Sequence, residues 1–410
     1  MLSLLFRARK SLTQIVTGVA TKVSTLVPTR AAPVASALLL PFALAACVST
    51  GTPQASGPIT GDMVTVALLV PGGSGQASDE LLAKGLENAA RLAMADLGGD
   101  RITLKVYNTA GQPAQAAAMA TQAVAEGAQL ILGPVFAQEA NAAGIAIAGT
   151  GVNVLSFSNN PDIAGNNVFI LGPTFLNTAK RLAGFAVAQG KGNIMIVQDQ
   201  NPAGDLGRAA IERGVAVAGG AVVATGSYEF SQNGVVSAVP GIVASARSSG
   251  AQAVFLTADT AGALPLITQL LMEGGLDPAT TRYIGLTRWD IPQATLALPG
   301  VQGGWFALPD PALFQQFQSR YAASYGEPPH PIAGLAYDGM AAVGALLKRG
   351  GDNTLSAAAL TQGAGYVGVN GIFRLLADGT NERGLAVAQI QNAQMVIVSP
   401  APRAFGGAGF

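Results

Sequence analysis

The residues that suggest covalent chemistry are Ser74 and His330. Residues 72–76 (GGSGQ) nearly match the G-x-S-x-G pattern of a hydrolase nucleophile, but Gln stands where the last Gly belongs. His330 is the only imidazole available as a base, and it lies in residues 328–331 (PPHP), a rigid extended stretch. A hydrolase stays open as an alternative. We favour a flexible turn at Ser74 and an exposed loop side chain at His330.

The patterns of cofactor and metal sites are missing from the sequence. No G-x-G-x-x-G follows a predicted strand and no Walker A sequence occurs, so dinucleotide and triphosphate chemistry have no support. One Cys and one His exclude thiolate zinc sites and multi-histidine metal sites. We therefore predict no cofactor, no metal and no enzymatic activity.

The charge balance argues against nucleic-acid binding. The 410 residues are 50% hydrophobic and 11% charged, with 23 basic and 23 acidic side chains. Five basic residues and no acid lie in residues 1–46, which leaves 18 basic and 23 acidic residues after them. Binding to a phosphate backbone needs a basic face, which this acidic remainder does not provide. The apolar fraction is also too high for a disordered chain.

The first 61 residues predict an export signal and a tether. Residues 1–46 begin with basic residues, continue into an apolar run of 16 residues and end in small residues, which is the order of a secretory signal peptide. A membrane-spanning helix needs about 20 apolar residues, so this run is too short. The signal ends in LAAC at 44–47, which resembles a bacterial lipobox. The resemblance implies a lipidated Cys47 and, without Asp at 48, an outer-membrane anchor that faces the periplasm. Residues 47–61 predict a flexible tether.

Strand and helix patterns alternate through the rest of the chain. The first group predicts strands at 63–70, 102–107, 129–132 and 152–157, with helices at 81–97, 114–126 and 137–148. The second group predicts helices at 177–189, 203–218, 235–248 and 261–273, with strands at 193–198, 221–225, 253–257 and 282–286. Helices at 311–325 and 332–348 and strands at 384–391 and 395–398 follow. Two successive units of this kind predict an α/β fold of two Rossmann-like lobes with parallel central sheets.

The loops after the strands predict a ligand cleft, because ligands of parallel α/β sheets bind beside the carboxyl ends of the strands. The candidate cleft residues are Gly73, Ser74, Gly133, Pro134, Phe136, Ser156, Ser158 and Asn159 from the first lobe, and Asp199, Asp259, Arg288 and Asp290 from the second. Trp289 and Trp305 fit a pocket lining and ordinary packing equally well.

Several segments resemble type I periplasmic binding proteins, whose best-known members bind branched-chain amino acids. They are residues 63–71 (MVTVALLVP), 86–97, 130–134 (LILGP), 152–161 (VNVLSFSNNP) and 337–338 (YD). The resemblance covers residues 62–398. It implies two lobes joined by a three-strand hinge, with lobe switches near 173, 307 and 350. The first lobe would then comprise 62–173 and about 308–349, the second 174–307 and about 350–400, and residues 401–410 would form a tail.

A narrower resemblance concerns the regulators of cell-wall synthesis. Residues 130–137 (LILGPVFA), 155–160 (LSFSNN) and 168–172 (VFILG) look like penicillin-binding-protein activator lipoproteins. This implies a non-catalytic lipoprotein that contacts a penicillin-binding protein and stimulates peptidoglycan synthesis. The alternative is the substrate-binding protein of an ABC importer for branched-chain amino acids or amides, which would bind a small polar ligand in the cleft and deliver it to an ABC permease.

The positions that correspond to the ligand contacts of amino-acid binders depart from that family's pattern. Residues 136–138 (FAQ) stand where the family has a Ser that holds the ligand carboxylate. Ser158 and Asn159 match the second contact as hydrogen-bond donors. The acid for the ligand ammonium falls near Arg288, with Asp290 as the available substitute. These departures favour the regulator. A third alternative is an anionic ligand bound by Arg288 and by backbone N–H groups at helix starts.

Overall fold

The computed structural model describes residues 63–98, 101–350 and 353–406. The predicted signal peptide, the lipidated Cys47 and the tether lie outside the described residues, as do residues 407–410 of the predicted tail. The described part of the chain forms two α/β lobes, as predicted, and a small antiparallel sheet. No helix within these ranges is both long enough and apolar enough to cross a membrane.

The first lobe is built around a parallel sheet. Its elements are β1 (Val64–Val70), α1 (Ala77–Leu97), β2 (Ile102–Asn108), α2 (Pro113–Ala125), β3 (Leu130–Leu132), α3 (Ala137–Ala146), β4 (Asn153–Ser156) and β5 (Val168–Ile170). The strands lie in the order β2-β1-β3-β4-β5. The central strands β1 and β3 are apolar runs because helices cover both faces of the sheet.

The second lobe repeats this alternation. Its elements are α4 (Phe175–Ala188), β6 (Asn193–Asp199), α5 (Pro202–Val217), β7 (Ala221–Tyr228), α6 (Gln232–Ser248), β8 (Ala253–Leu256), α7 (Leu264–Glu273), β9 (Arg282–Gly285) and β10 (Trp305–Leu308). All five strands pair in parallel. Side-chain oxygens of Asn201 and Ser231 accept hydrogen bonds from the first turns of α5 and α6, so both helix starts are capped.

The chain then returns to the first lobe. Helices α8 (Pro311–Tyr325) and α9 (Gly334–Arg349) are followed by α10 (Ala357–Leu360), β11 (Tyr366–Gly368), β12 (Gly371–Leu375) and β13 (Asn381–Arg383). Leu360, Tyr366 and Phe373 are buried in the same core as α1 and α9. This differs from the expected lobe switch near 350: these side chains keep residues 355–375 with the first lobe, and the chain changes lobe only after β13.

The last two strands complete the second sheet. Strand β14 (Ala386–Gln391) pairs antiparallel with β10, and β15 (Gln394–Ser399) pairs antiparallel with β14. The second sheet therefore has the order β15-β14-β10-β9-β8-β6-β7. Part of the predicted tail packs on the protein, since the guanidinium of Arg374 lies 4.6 Å from the ring centre of Phe405.

A buried ion pair holds the chain where it leaves the first lobe for the last time. Asp338 of α9 accepts hydrogen bonds from Nη1 of Arg383 at 3.0 Å and from the backbone N–H of Val369 at 2.8 Å. Nε of Arg383 donates to the carbonyl oxygen of Leu171, at the first change of lobe, at 2.8 Å. Both charged side chains are almost completely buried. One ion pair thus links the first and third lobe crossings.

Candidate functional site

The carboxyl edges of both sheets border the junction between the lobes. The chain leaves β5 at its carboxyl end to reach α4 in the second lobe, and it leaves β10 at its carboxyl end to reach α8 in the first. In each sheet the side on which the chain adds its next strand changes once. After β2 the chain adds β3 on the other side of β1, and after β7 it adds β8 on the other side of β6. Ligands of open α/β sheets bind at such reversal points. The loops after β1, β3 and β4 in the first lobe and after β6, β7, β8 and β9 in the second therefore form the candidate site.

The first-lobe half of the site is a fixed pair of loops. Gly133 has φ +84°, and a β-carbon there would overlap the carbonyl oxygen of Leu69, so only glycine fits. The hydroxyl of Ser156 donates to the carbonyl oxygen of Pro134 at 3.0 Å and accepts from the N–H of Ser158 at 3.1 Å. Ser156 therefore joins the loops after β3 and β4 and is not free to bind a ligand.

The groups that stay available on this edge are backbone N–H groups and a few side chains. Phe136 precedes the first turn of α3 and no side chain caps that turn. Its ring is 38% exposed. Asn159 is exposed, whereas the hydroxyl of Ser158 accepts from the N–H of Asn160 at 3.1 Å. The start of α3 can thus donate N–H groups to a ligand.

Glu139, in the first turn of α3, is a buried carboxyl group that sequence reasoning missed. The residue is fully buried and neither carboxylate oxygen has a hydrogen-bond partner. Burial raises the pKa of Glu139, while the nearby Thr109 hydroxyl and Phe136 N–H lower it. Those two groups do not form well-aligned bonds with it, because the Thr109 hydroxyl donates to the carbonyl oxygen of Val70 at 3.1 Å. The carboxylate form of Glu139 therefore destabilises the fold.

Replacing Glu139 with Gln is expected to stabilise the protein at neutral pH. The pKa of Glu139 is raised above its ordinary value of 4.5, so the wild type loses stability as pH rises from 4.5 to the pKa of the folded state. We expect the variant to exceed the wild type by about 1 kcal/mol at pH 7, with the difference shrinking at pH 4. Urea unfolding at both pH values measures it. Glu273→Gln, which changes an exposed carboxylate at the end of α7, is the control; a difference at pH 7 no larger than the control's would contradict the prediction.

Ser74 and His330 do not form a catalytic pair. The hydroxyl of Ser74 accepts from the N–H of Gln76 at 3.1 Å, and Nδ1 of His330 accepts from the N–H of Ile332 at 3.4 Å. His330 is half-buried against Gly85 of α1 and is not the exposed loop side chain that the sequence suggests, and burial lowers the pKa of its imidazole. No hydrogen bond connects the two side chains within the described residues. Gly73 donates its N–H to Oε1 of Glu80 at 2.7 Å, which holds this loop over α1.

The second-lobe half of the site centres on Asp199, the last residue of β6. The hydroxyl of Thr257 donates to its Oδ1, and Nδ2 of Asn201 donates to its Oδ2 at 2.6 Å. Asp199 thus connects the loops after β6 and β8 across the reversal point. Asp259, in the loop after β8, is exposed, and its Oδ1 accepts from the N–H of Gly262 at 2.5 Å.

Arg288 and Asp290 bind each other. Nε of Arg288 donates to Oδ1 of Asp290 at 2.9 Å, and Nη2 donates to the other carboxylate oxygen. Such a two-point contact uses the faces that each group would offer to a ligand. A ligand that uses either Arg288 or Asp290 would have to compete with this ion pair.

Trp289 and Trp305 are packing residues. Trp289 is fully buried, and Trp305 is buried with its ring centre 4.8 Å from that of Phe185. The guanidinium of Arg282 covers Trp305 at 5.0 Å from the ring centre. Of the two roles that the sequence allowed, the structure supports ordinary packing.

Sequence reasoning also missed Tyr228 and Phe230. Strand β7 was predicted to end at 225 but continues to 228, which brings Tyr228 and the exposed Phe230 to the carboxyl edge. Residues 228–231 (YEFS) indicate the true end of this strand. Tyr228 is an aromatic residue of the kind that favours strands, and Ser231 is of the kind that favours a helix start.

The family assignment follows from a comparison with family models. The model described as Periplasmic binding protein matches residues 63–394, which is most of the chain. The chain belongs to the periplasmic binding protein family. Members of this family are typically ligand-binding proteins without enzymatic activity, and membership implies a location in the periplasm or cell envelope. No curated protein sequence matches this chain.

Solved structures of type I periplasmic binding proteins share the fold. A putative branched-chain amino acid ABC transporter protein from Rhodospirillum rubrum has a TM-score of 0.69 at 18% identity, covering 82% of this chain and 100% of that chain. An ABC transporter substrate-binding protein from Desulfitobacterium hafniense in complex with Leu has 0.61 at 19%, covering 82% and 100%. A solute-binding protein from Rhodopseudomonas palustris BisB5 in complex with 3,4-dihydroxybenzoic acid has 0.57 at 18%, covering 85% and 99%. At such identities these proteins support the fold and not a common ligand.

Proposed function

We propose that this periplasmic binding protein binds a small molecule between its two lobes and delivers it to an ABC transporter. The observation that carries the proposal is the position of the two reversal points, one in each sheet, at carboxyl edges that border the same junction. Closure of two lobes around a connecting hinge is the usual way in which such a site encloses its ligand. No catalytic step is part of the proposal.

The similar structures support this function over the regulator that the sequence favoured. The proteins described above are ABC transporter binding proteins, and two of them carry a small organic ligand. None of those three is described as acting on cell-wall synthesis. The missing Ser at the start of α3 counts against one type of ligand contact, but uncapped N–H groups stay available there. The differences from the amino-acid binders at these contact positions therefore affect which ligand is bound. They do not argue against ligand binding itself.

The location of the protein belongs to the same proposal. We propose that Cys47 is lipidated after removal of residues 1–46 and that residues 47–61 tether the lobes to a membrane, with the outer membrane as the expected one. Labelling of cells with a radioactive fatty acid tests the anchor: incorporation into the wild type and not into Cys47→Ser supports it, and equal incorporation contradicts it.

Thermal unfolding in the presence of candidate ligands tests the function. A ligand at 100 times its Kd stabilises the folded protein by about 2.7 kcal/mol, which gives a clear rise in melting temperature. Ligands that raise it should also reduce the radius of gyration in X-ray scattering, since the lobes close. Ala137→Trp, which fills the start of α3, should abolish both effects, whereas Ala209→Trp on the exposed face of α5 should not.

Two results would contradict the proposal. One is the absence of any melting shift across amino acids, amides, aromatic acids and amines. The other is co-purification with a penicillin-binding protein together with faster glycan polymerisation, which would return the regulator to first place.

A further inference from the structure

The last described residues of the chain run from the second lobe to the first. Strand β15 ends at Ser399 in the second lobe, and residues 400–405 (PAPRAF), which we call the strap, follow it. The strap lies against the third lobe crossing, because a β-carbon on Gly384 would lie 3.0 Å from the carbonyl oxygen of Pro402 and 3.2 Å from its ring. In the described part of the chain it is a fourth connection between the lobes, beside the three crossings.

The second-lobe end of the strap is held by a buried residue and by an arginine. Ala401 is buried in the same core as β14. Nη2 of Arg181, on α4, donates to the carbonyl oxygen of Pro400 at 3.2 Å and to the hydroxyl of Ser399 at 2.6 Å. Its Nε donates to the carbonyl oxygen of Leu385, directly before β14, at 2.7 Å. One guanidinium thus joins the start of the strap to the third crossing.

The first-lobe end of the strap is held by the ring of Phe405, which is half-buried. The guanidinium of Arg374, on β12, lies over this ring at 4.6 Å from its centre, a favourable contact of a cation with an aromatic face. Gly365, directly before β11, leaves room for the ring edge, since a β-carbon there would lie 2.5 Å from Cε2 of Phe405. The first lobe therefore provides a seat for the ring.

An ion pair between the lobes positions the arginine of this seat. Nη2 of Arg374 lies 2.5 Å from Oε2 of Glu382, on β13. The other carboxylate oxygen of Glu382 accepts from Nζ of Lys180, on α4 of the second lobe, at 3.0 Å. All three side chains are partly exposed, so these pairs contribute little to the free energy of unfolding. Their effect is to hold Arg374 in place beneath Phe405.

The strap has little freedom to lengthen. Proline fixes φ near −65° and stiffens the segments that contain it. Pro400 and Pro402 therefore limit the conformations of the strap, and its remaining freedom lies at the bend of residues 403–404. Because both ends are seated, the strap cannot follow a large separation of its two anchors unless one of them is released.

The strap lies on the far side of the hinge from the candidate site. Strand β15 is the edge strand of the second sheet, next to β14 and β10, which adjoin the lobe crossings. The strands whose loops form the candidate site, β9, β8, β6 and β7, lie on the other side of β10. Neighbouring strands are about 4.8 Å apart, so the strap begins about one strand spacing beyond the hinge. When the lobes close over the site, anchors on this far side must move apart.

We propose that the strap limits closure of the two lobes and thereby keeps the ligand-free protein open. Full closure then requires release of Phe405 from its seat, because this half-buried ring is less firmly held than the buried Ala401 at the other end. A restraint that reduces the population of the closed state reduces the apparent affinity for a ligand by the same factor. The strap is thus a regulatory element that goes beyond the proposed ligand-binding function.

Distances between spin labels measure the separation of the lobes without any ligand. Cys47 is the only cysteine of the chain, so Cys47→Ser with Ser78→Cys and Ala203→Cys places one label on each lobe, at the exposed starts of α1 and α5. Double electron–electron resonance of this full-length protein gives the distribution of label distances. We expect Phe405→Ala to shorten the mean distance by more than about 2 Å, the size that marks a domain rearrangement.

Two further variants separate the restraint from other effects of a substitution. Insertion of Gly-Ser-Gly after Arg403 keeps both anchors and lengthens the strap, so it should shorten the label distance as Phe405→Ala does. Arg403→Ala changes an exposed side chain within the strap and should leave the distribution unchanged. Circular dichroism spectra that match the wild type show that each variant is folded.

Each outcome decides the proposal. Equal shortening in Phe405→Ala and in the insertion variant supports the strap. An unchanged or longer distance in either folded variant overturns it, as does an equal shortening in Arg403→Ala. If Phe405→Ala does not fold, the insertion variant alone decides. No ligand is present in these measurements, so a failure of the strap leaves the ligand-binding function to the melting screen.

Discussion

Replacement of Arg383 with Met is expected to lower the free energy of unfolding by about 3–5 kcal/mol. Arg383 is buried, and Nη1 donates to Oδ2 of Asp338 at 3.0 Å. Without the guanidinium, the Asp338 carboxylate stays buried with only neutral donors, and burial raises its pKa with no opposing positive charge. The carbonyl oxygen of Leu171 also loses its donor. Denaturant unfolding followed by circular dichroism measures the loss.

A nearby pair supplies the control for this prediction. Arg374 on β12 pairs with Glu382, but its side chain is 30% exposed, so Arg374→Met should cost only about 0–1 kcal/mol. The double variant Asp338→Asn with Arg383→Met should recover at least half of the loss, because Asn keeps an acceptor for the N–H groups of Val369 and Asn370 and carries no charge. If Arg383→Met costs no more than Arg374→Met, the buried pair does not hold the crossing.

The main strands and helices could be predicted because each follows a simple pattern. The strand at 64–70 is an apolar run interrupted only by Thr65, and α1 buries a stripe of apolar residues on one face. Two units of this kind predict two lobes without any knowledge of distant contacts. The helix at 311–325 was predicted with its observed bounds, since Asp310 and Pro311 mark its beginning.

Strand β13 could not be predicted, because its sequence, Asn381-Glu382-Arg383, is entirely polar. Asn381 and Arg383 are buried by partners far away in the chain: Nδ2 of Asn381 donates to the carbonyl oxygens of Ile170 and Gly172 at 2.7 and 2.9 Å. A sequence pattern contains no information on such contacts. The error in the third lobe switch has the same cause.

The candidate site was predictable in position and less so in detail. The rule that ligands bind beyond the carboxyl ends of strands selects loops that the structure places at the carboxyl edges of the two sheets. It does not distinguish residues that bind other loops, such as Ser156, from residues that stay free, such as Asp259. It also fails where a strand continues further than its pattern suggests, as β7 does before Tyr228. Hydrogen-bond partners, which decide availability, depend on the fold.

The second large effect is expected at Trp289, which holds the loop that carries Arg288 and Asp290. Its indole ring is fully buried and lies over Gly285 of β9 and Gly304, where β-carbons would overlap it. Trp289→Ala should reduce the free energy of unfolding by about 3–5 kcal/mol, because the cavity left between two glycines has no side chain to collapse into it. Chemical unfolding measured by circular dichroism tests this.

Trp289→Phe separates the packing of the ring from its polar atom. Nε1 of Trp289 is buried without a hydrogen-bond partner, so Phe removes an unsatisfied donor while it fills most of the space. We therefore expect a loss of only about 1 kcal/mol, and Trp305 stays as the fluorescent reporter of unfolding. Equal losses in the Ala and Phe variants would mean that the nitrogen has a partner in solution, and a loss below about 1 kcal/mol in Trp289→Ala would contradict the packing role. Because the loop after β9 borders the candidate site, a stable Phe variant also shows whether ligand binding depends on how firmly this loop is held.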